Sequence, residues 1–368
     1  MTITGFEIDF LPVGEKSKSG DAILFRYKED GKCKVMLIDG GHKESEGTKT
    51  SDKILKHMRE YYYPEVDDDV EMRIDHIVCS HPDSDHVGGL QEVMEQCDVG
   101  TLWINNPLDY VNYSDLDDEH NTDSFCKGNA DTVEQLIDIA EQNNIAVESP
   151  LEGKFIGPLV VCSPSEEFYE VLVKGELQRK GGDKSKLSIK KVVAATIRRF
   201  VEAIWSRDYL KDCPSTSVCN ESSTVLFGDL VDGKNRILLT ADAGIEALSR
   251  SYEYLEDAHN YSSGSMTFMQ MPHHGSRRNV NTEVLDNILG RKLPGSTHEG
   301  RGSSIASVAK ESDDRPRKSV TNAFITRGFS CMRTAGYQIC HIRGDMPDRN
   351  WPSATQIGYA HKVEDPDE

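Results

Sequence analysis

The feature that most constrains this chain is the segment Ser80-His81-Pro82-Asp83-Ser84-Asp85-His86-Val87-Gly88-Gly89, which packs four imidazole or carboxylate side chains into six residues. It follows an apolar stretch that reads as a strand, Ile74-Asp75-His76-Ile77-Val78-Cys79. It precedes Leu90, Val93, Met94 and Cys97, whose spacing is that of a helix packed on a sheet. A helix cap needs only one Asp or Ser, so a loop this dense in donors points to bound metal. His81 and Asp83, two residues apart, can meet one ion from an extended loop. The adjacent Asp85 and His86 can turn to a second, and imidazole with carboxylate suits zinc, manganese or iron.

Two later segments repeat the order of strand and then donor. Leu238-Leu239-Thr240-Ala241-Asp242-Ala243-Gly244 sets Asp242 behind an apolar run, where a carboxylate could bridge two ions. Phe268-Met269-Gln270-Met271-Pro272-His273-His274-Gly275-Ser276 delivers two histidines in the same way. Taken singly, an Asp after a strand is as readily a cap and a His pair as readily a bystander. Their position behind the His-Asp cluster is what makes them candidates. His42, His76, His120, His298 and His341 lack such a neighbourhood and are read as non-catalytic.

The rest of the chain supplies a frame for these loops. Residues 6–39 read as a β-meander, Asp232-Gly233 as the turn of a hairpin between Thr224–Phe227 and Ile237–Thr240, and Thr132…Gln135 as the capping box of a helix. Strands alternating with helices imply an α/β sandwich. Residues 166–214 break the rhythm, with Val193, Ile197, Phe200 and Ile204 on one helical face, and read as a helical insertion within a single domain spanning 1–368. Lys292 to Arg317 reads as a long loop around a short strand.

Composition narrows the partners. With 62 Asp plus Glu against 42 Lys plus Arg, the net charge of -20 repels duplex nucleic acid, whose non-specific binding needs cationic side chains to displace counterions. The nine cysteines are odd in number and free of CxxC spacing, which fits free thiols in a reducing, cytoplasmic compartment. No leader-like start and no long apolar run is seen, so no membrane association is expected.

In order, Asp39-Gly40-Gly41, His-x-Asp-x-Asp-His-x-Gly-Gly, Leu-Thr-x-Asp-Ala and Pro-His-His-Gly-Ser together resemble the metallo-β-lactamase superfamily, and within it the hydrolase domain of the ComEC-type DNA-uptake proteins. Phe10-Leu11-Pro12-Val13-Gly14 and Gly20-Asp21-Ala22-Ile23-Leu24 are similar to that branch's opening turn. The resemblance covers residues 6–345 and implies an αββα sandwich with a helical insertion. It implies that His81 and Asp83 hold a first metal, that Asp85 and His86 hold a second, that Asp242 bridges, and that one of His273 or His274 completes the second site. Asp39 is expected to orient a ligating histidine from behind, as carboxylates commonly do. Asn220-Glu221-Ser222-Ser223-Thr224 stands where the superfamily usually offers a further histidine and is similar to the Asn/Ser motif of that branch, with Asn220 and Ser223 near substrate or ligands. Arg315-Pro316 stands where a His-Pro pair is common, and the arginine is either a phosphate contact or a surface charge.

Such a centre would lower the pKa of bound water and stabilise developing negative charge, so the expected activity is hydrolysis. The motif set, the carboxylate-rich donors and Arg277-Arg278 beside the histidine pair favour a phosphodiester, with Asp85 orienting or deprotonating the water. Zn2+ or Mn2+ is the expected cofactor, as one or two ions. Manganese is favoured because Asp83 stands where histidine is usual. Two other functions fit the same residues. One is hydrolysis of a small nucleotide or phosphorylated metabolite, and the other is a metal-bound regulatory or effector subunit that docks a partner protein through the insertion.

Overall fold

A computed structural model describes the chain except for residues 1, 15, 44–48, 66, 68–69, 119–124, 176–199, 212–215, 296–299 and 366–368. Two seven-stranded sheets face one another. In the first, the order across the sheet is Ile339–Gly344, Ile3–Phe10, Ile23–Glu29, Lys32–Ile38, Met72–Val78, Cys97–Trp103 and Ala146–Glu148. The expected meander forms its antiparallel half, and the strands from Lys32–Ile38 onward run parallel. The second sheet runs Phe329–Arg333, Gly302–Ala306, Phe268–Gln270, Asn235–Leu239, Val225–Leu230, Leu159–Ser163 and Phe155–Ile156, its first four strands parallel. The expected hairpin is present, with Val231, Asp232 and Gly233 all at positive φ in its turn.

Period-two alternation explains why both faces of each sheet are covered. Phe6, Ile8 and Phe10 point inward to meet Leu226, Ile237, Leu239 and Phe268 from the opposite sheet. On the outer face of the first sheet, Leu37, Ile74 and Leu102 pack under Ile54, Leu90, Val93, Val133 and Leu136 of the helices Thr50–His57, Leu90–Gln96 and Lys127–Gln142. The outer face of the second sheet is covered by Glu166–Val173, Ile245–His259, Thr282–Leu289 and Lys318–Ile325. The layers are therefore α/β/β/α.

Two local expectations need correction. The helix read as starting at Thr132 begins at Lys127, because the Asn129 carboxamide oxygen accepts from both the backbone N–H and the thiol of Cys126 (3.5 and 2.8 Å). Thr132 lies inside the helix, its hydroxyl donating to the Gly128 carbonyl at 2.8 Å. The helical face read over Val193 to Ile204 is not continuous either. Val193 and Ile197 lie outside the described residues, but Phe200–Glu202 is a strand paired antiparallel with Lys362–Glu364. β-Branched and aromatic residues at Phe200-Val201 satisfy a sheet edge as well as a helix face, and the long-range partner decided between them.

Candidate metal centre

Every proposed donor sits just beyond the C-terminal end of a strand that has a parallel neighbour. The strand Lys32–Ile38 leads to Asp39, Met72–Val78 to Ser80 through His86, Asn235–Leu239 to Asp242, and Phe268–Gln270 to His273 and His274. This is where α/β sheets open the crevice that holds ligands. The crevice is closed from below by backbone contacts that tolerate no side chain. Gly88 donates to the Gly41 carbonyl at 2.8 Å, and a Cβ on Gly88 would lie 2.2 Å from the Lys43 nitrogen.

Asp85, His86, Asp242 and His274 each offer one donor atom, and these atoms lie within 4.8 Å of one another. His86 Nε2 is 3.4 Å from Asp242 Oδ1, and His274 Nε2 is 3.4 Å from Asp85 Oδ2 and 3.9 Å from Asp242 Oδ1. His86 is fixed from behind by Asp39. Its Nδ1 donates to Asp39 Oδ2 at 2.7 Å, and Asp39 accepts further bonds from the Ser80 amide (2.8 Å) and hydroxyl (2.6 Å). With Nδ1–H committed to a carboxylate, Nε2 is the ring nitrogen left to face the cluster.

The remaining candidates divide. His81 Nε2 lies 3.7 Å from Asp83 Oδ2, and its ring is tilted 51° to that of His86 with centroids 4.1 Å apart. Ser80 and Ser223 hydroxyls flank its Nδ1 at 3.0 and 3.3 Å. His273 stands apart from His274. Its Nε2 faces Asp242 Oδ2 at 3.6 Å and its Nδ1 meets Asn220 (2.9 Å) and Asn279 (3.0 Å). Arg277 turns away and donates to the Asp365 carbonyl at 2.6 Å. Arg315 sits against the site instead, its guanidinium donating to the His273 carbonyl at 2.9 Å.

The donors fit a cation on two physical grounds. Among the described residues, His86 Nε2 and Asp242 Oδ1 are buried polar atoms with no hydrogen-bond partner, a cost that a shared ion would remove, and His81 Nε2 is a third such atom. Charge tells the same story. Burial alone would raise the Asp242 carboxyl, yet His273, His86 and His274 together hold it well below the ordinary range. Burial raises Asp85 too, but His86 and His274 outweigh it, so its carboxyl is lowered. Burial drives His273 the other way, down to about 4.

Three supporting residues had escaped the sequence reading. Asp21 approaches His274 Nδ1 at 3.9 Å, held there by the Gln270 amide donating to its other oxygen at 2.9 Å. Asn129 donates to Asp83 Oδ1 at 3.3 Å. Asn279 anchors His273. Asp21 had a signal, since Gly20-Asp21-Ala22 precedes a strand as part of the opening turn, whereas nothing in the sequence marks Asn129 or Asn279. His76 accepts from the Trp103 indole and His341 packs between Phe6 and Phe268, in keeping with structural roles. His120 and His298 lie outside the described residues.

Residues 19–141, about a third of the chain, match the model of the metallo-β-lactamase superfamily. Among solved structures the chain is similar to unliganded yeast PDE1 (12% identity, covering 92% of this chain and 99% of that one, TM-score 0.42). It is also similar to AbOPH, a hydrolase in the β-lactamase superfamily (14%, 63% and 59%, TM-score 0.32). A third is a motif mutant of a metallo-β-lactamase from Cronobacter sakazakii (13%, 70% and 74%, TM-score 0.31). No curated protein matches the sequence. Residues 19–141 are thus similar in sequence to that superfamily. Among the described residues no helix is long and apolar enough to cross a membrane.

Proposed function

We propose that the chain hydrolyses phosphodiester bonds in small or short nucleotide substrates. The observation that carries this reading is the meeting, at the His273–Gly275 turn, of the donor cluster with the guanidinium of Arg315, which has no carboxylate ion-pair partner among the described residues. Arg315 is held to that turn by backbone packing. Arg317 N–H donates to the Gly275 carbonyl at 2.9 Å, and a Cβ on Gly275, at φ +80°, would sit 2.2 Å from the Pro316 Cβ. An arginine so placed beside a cation site suits a substrate oxyanion, since guanidinium and phosphate match in charge and fork geometry. The resemblance to the ComEC-type branch supports the same bond type.

Divalent ions held by His81, Asp83, Asp85, His86, Asp242 and the histidine pair would polarise a phosphoryl oxygen and lower the pKa of water. The chain's own residues do the rest. Asp39 fixes the imidazole of His86, Asp85 as a weakly basic carboxylate orients the attacking water, and Arg315 binds and aligns the anionic substrate. The net charge of -20 disfavours long duplex DNA and favours compact substrates.

The test compares a chromogenic bis-aryl phosphate with a chromogenic β-lactam at equal enzyme, then cyclic and short oligonucleotides with long duplex DNA. Faster phosphodiester turnover is expected, strongest on the short substrates, and Arg315→Met should raise KM while metal content stays unchanged. Faster lactam turnover would overturn the reading.

A further inference from the structure

The turn beside the crevice carries more positive charge than Arg315 alone. Arg277 is spent on the Asp365 carbonyl, but its neighbour Arg278 is exposed, and neither Arg278 nor Lys318 has a carboxylate ion-pair partner among the described residues. Lys318 directly follows Arg317, whose backbone N–H holds the Gly275 carbonyl at 2.9 Å, and its ammonium lies 5.2 Å from the centre of the Phe200 ring. Phe200 belongs to the strand Phe200–Glu202, within the segment read from the sequence as an insertion, and pairing with Lys362–Glu364 sets it opposite Glu364. It is 47% exposed, although a side chain of this size gains from burial. We propose that Arg278, Lys318 and Phe200 form a subsite beside the crevice that binds one phosphate and one unpaired base of a single-stranded oligonucleotide, next to the phosphodiester held at Arg315. This rests on the phosphodiesterase reading and deepens it by naming the substrate class.

The nearby carboxylates leave this charge unanswered. Asp314 pairs with Arg317 at 3.1 Å, and Glu364 turns both oxygens to backbone N–H groups, of Lys318 at 3.0 Å and of Ser319 at 2.9 Å. The carboxylate opposite Phe200 in the strand pair is thus committed to the start of the helix Lys318–Ile325 instead of to the Lys318 ammonium. Burial, Arg317 and Arg278 lower the Arg315 guanidinium below its ordinary value against the opposing pull of Asp242 and Asp314, so both neighbouring arginines lie within electrostatic reach of it. Like charges so gathered repel unless an anion lies among them, and phosphate matches guanidinium in charge and geometry. On a chain of net charge -20, such a patch is what draws a polyanion to this face.

The aromatic ring narrows the ligand further. A phosphate group alone makes no use of Phe200, and in a duplex the faces of the bases are covered by their neighbours in the stack. A single strand offers both a backbone charge to Arg278 and Lys318 and an open base face to the ring, which is the combination of basic groove and stacking platform by which proteins bind single strands. Lys318 packs over the ring on a flexible four-carbon stem, which lets its ammonium turn to a phosphate when a base takes its place. The segment read as a docking element for a partner protein thus supplies one wall of the substrate groove.

The test measures, by fluorescence anisotropy, binding of a short labelled DNA strand of mixed sequence to the purified full-length protein. Phosphorothioate linkages protect the strand from hydrolysis, and it is long enough to form a stable duplex with its complement. Wild type is compared with Phe200→Leu, which keeps an apolar side chain on the strand without a ring, and with Phe200→Tyr, Arg278→Met and Lys318→Met, all at exposed positions. Phe200→Leu should weaken binding by about 5- to 100-fold, the range for loss of one stacked base, and Phe200→Tyr should retain it. Each Met variant should reduce the slope of log affinity against log salt by about 0.7, as for one lost phosphate contact on a single strand. The duplex should bind more weakly and respond to neither Phe200 variant. No binding by the wild type, equal affinity in Phe200→Leu, a duplex bound as tightly as the single strand, or an unchanged salt slope in both Met variants would overturn the proposal. Turnover of the bis-aryl phosphate reads the activity separately, so its absence beside the expected binding would refute the phosphodiesterase reading and leave the subsite standing.

Discussion

Two clusters of buried ionisable side chains in this molecule look alike by composition and behave oppositely. One, on the outer face of the first sheet, joins Glu7 and Asp9 with Cys340 close by. Its carboxylates are matched from within. Arg349 reaches Asp9 at 2.9 Å and Glu7 at 2.8 Å, Arg26 binds Glu7, and His57 meets Asp9 at 3.1 Å. The other is the crevice, where Asp21, Asp39, Asp83, Asp85 and Asp242 pair only with histidines among the described residues. Buried charge must be compensated. The first cluster carries its own cations and is a fastening for the C-terminal arm. The second has only imidazoles, which can give up their protons to a bound cation.

The largest expected effect follows from removing the carboxylate that His86, His273 and His274 all face. Asp242→Ala should lower phosphodiester turnover by about three orders of magnitude or more, since metal stabilisation of transition-state charge is worth several kcal/mol. Thermal stability without metal should fall as well, because the surrounding imidazoles that hold this carboxyl below its ordinary range lose their partner. A variant that loses stability yet keeps its turnover would reverse the roles of the two clusters.

Next comes Arg349→Met, which strands two buried carboxylates and should cost about 3–5 kcal/mol of folding stability at neutral pH while leaving metal content intact. The sign of its pH dependence is defined. In the wild type, burial raises Asp9 but His57, Arg349 and Tyr62 hold it below its ordinary value, so its stabilising effect fades as pH falls. Burial and Asp9 raise Glu7, which has the opposite sign. Without Arg349 both carboxyls rise, the folded state binds protons more readily than the unfolded one, and the deficit should shrink as pH drops through roughly 5 to 4. Denaturant titrations at pH 7 and pH 4 measure this, and an equal deficit at both would contradict it.

Asp39→Asn should have a smaller effect, weakening metal binding by about 10- to 100-fold in a folded protein, because His86 loses an anionic partner and not its position. Smallest of all is Arg277→Ala. With its guanidinium on the Asp365 carbonyl, KM for a phosphodiester should stay unchanged, in contrast to Arg315→Met. Steady-state kinetics on the two variants side by side decides which arginine serves the crevice.

The sequence made legible whatever is local. The Ser80–Gly89 loop, Asp242 and the histidine pair could be read because each follows its strand directly, and Asp39 because its Gly-Gly turn is distinctive. What could not be read depends on distant partners or rare backbone states. The separation of His273 from His274 rests on consecutive left-handed residues, Asp21 acquires its place through Gln270 from the other sheet, and Arg315 reaches the site only because Pro316 seats on Gly275. The helix start at Cys126 was hidden because a thiol and an asparagine do the work expected of a hydroxyl and a glutamine. The same limit explains the strand at Phe200–Glu202, paired with a segment more than 150 residues later.

The central claim is that the crevice is an incomplete charge balance closed by bound cations, and metal content tests it most directly. Elemental analysis of the purified wild type and of His81→Ala/His86→Ala, each verified as folded by circular dichroism, should show divalent metal in the first and a clear loss in the second. Equal metal content in the two proteins would contradict the account.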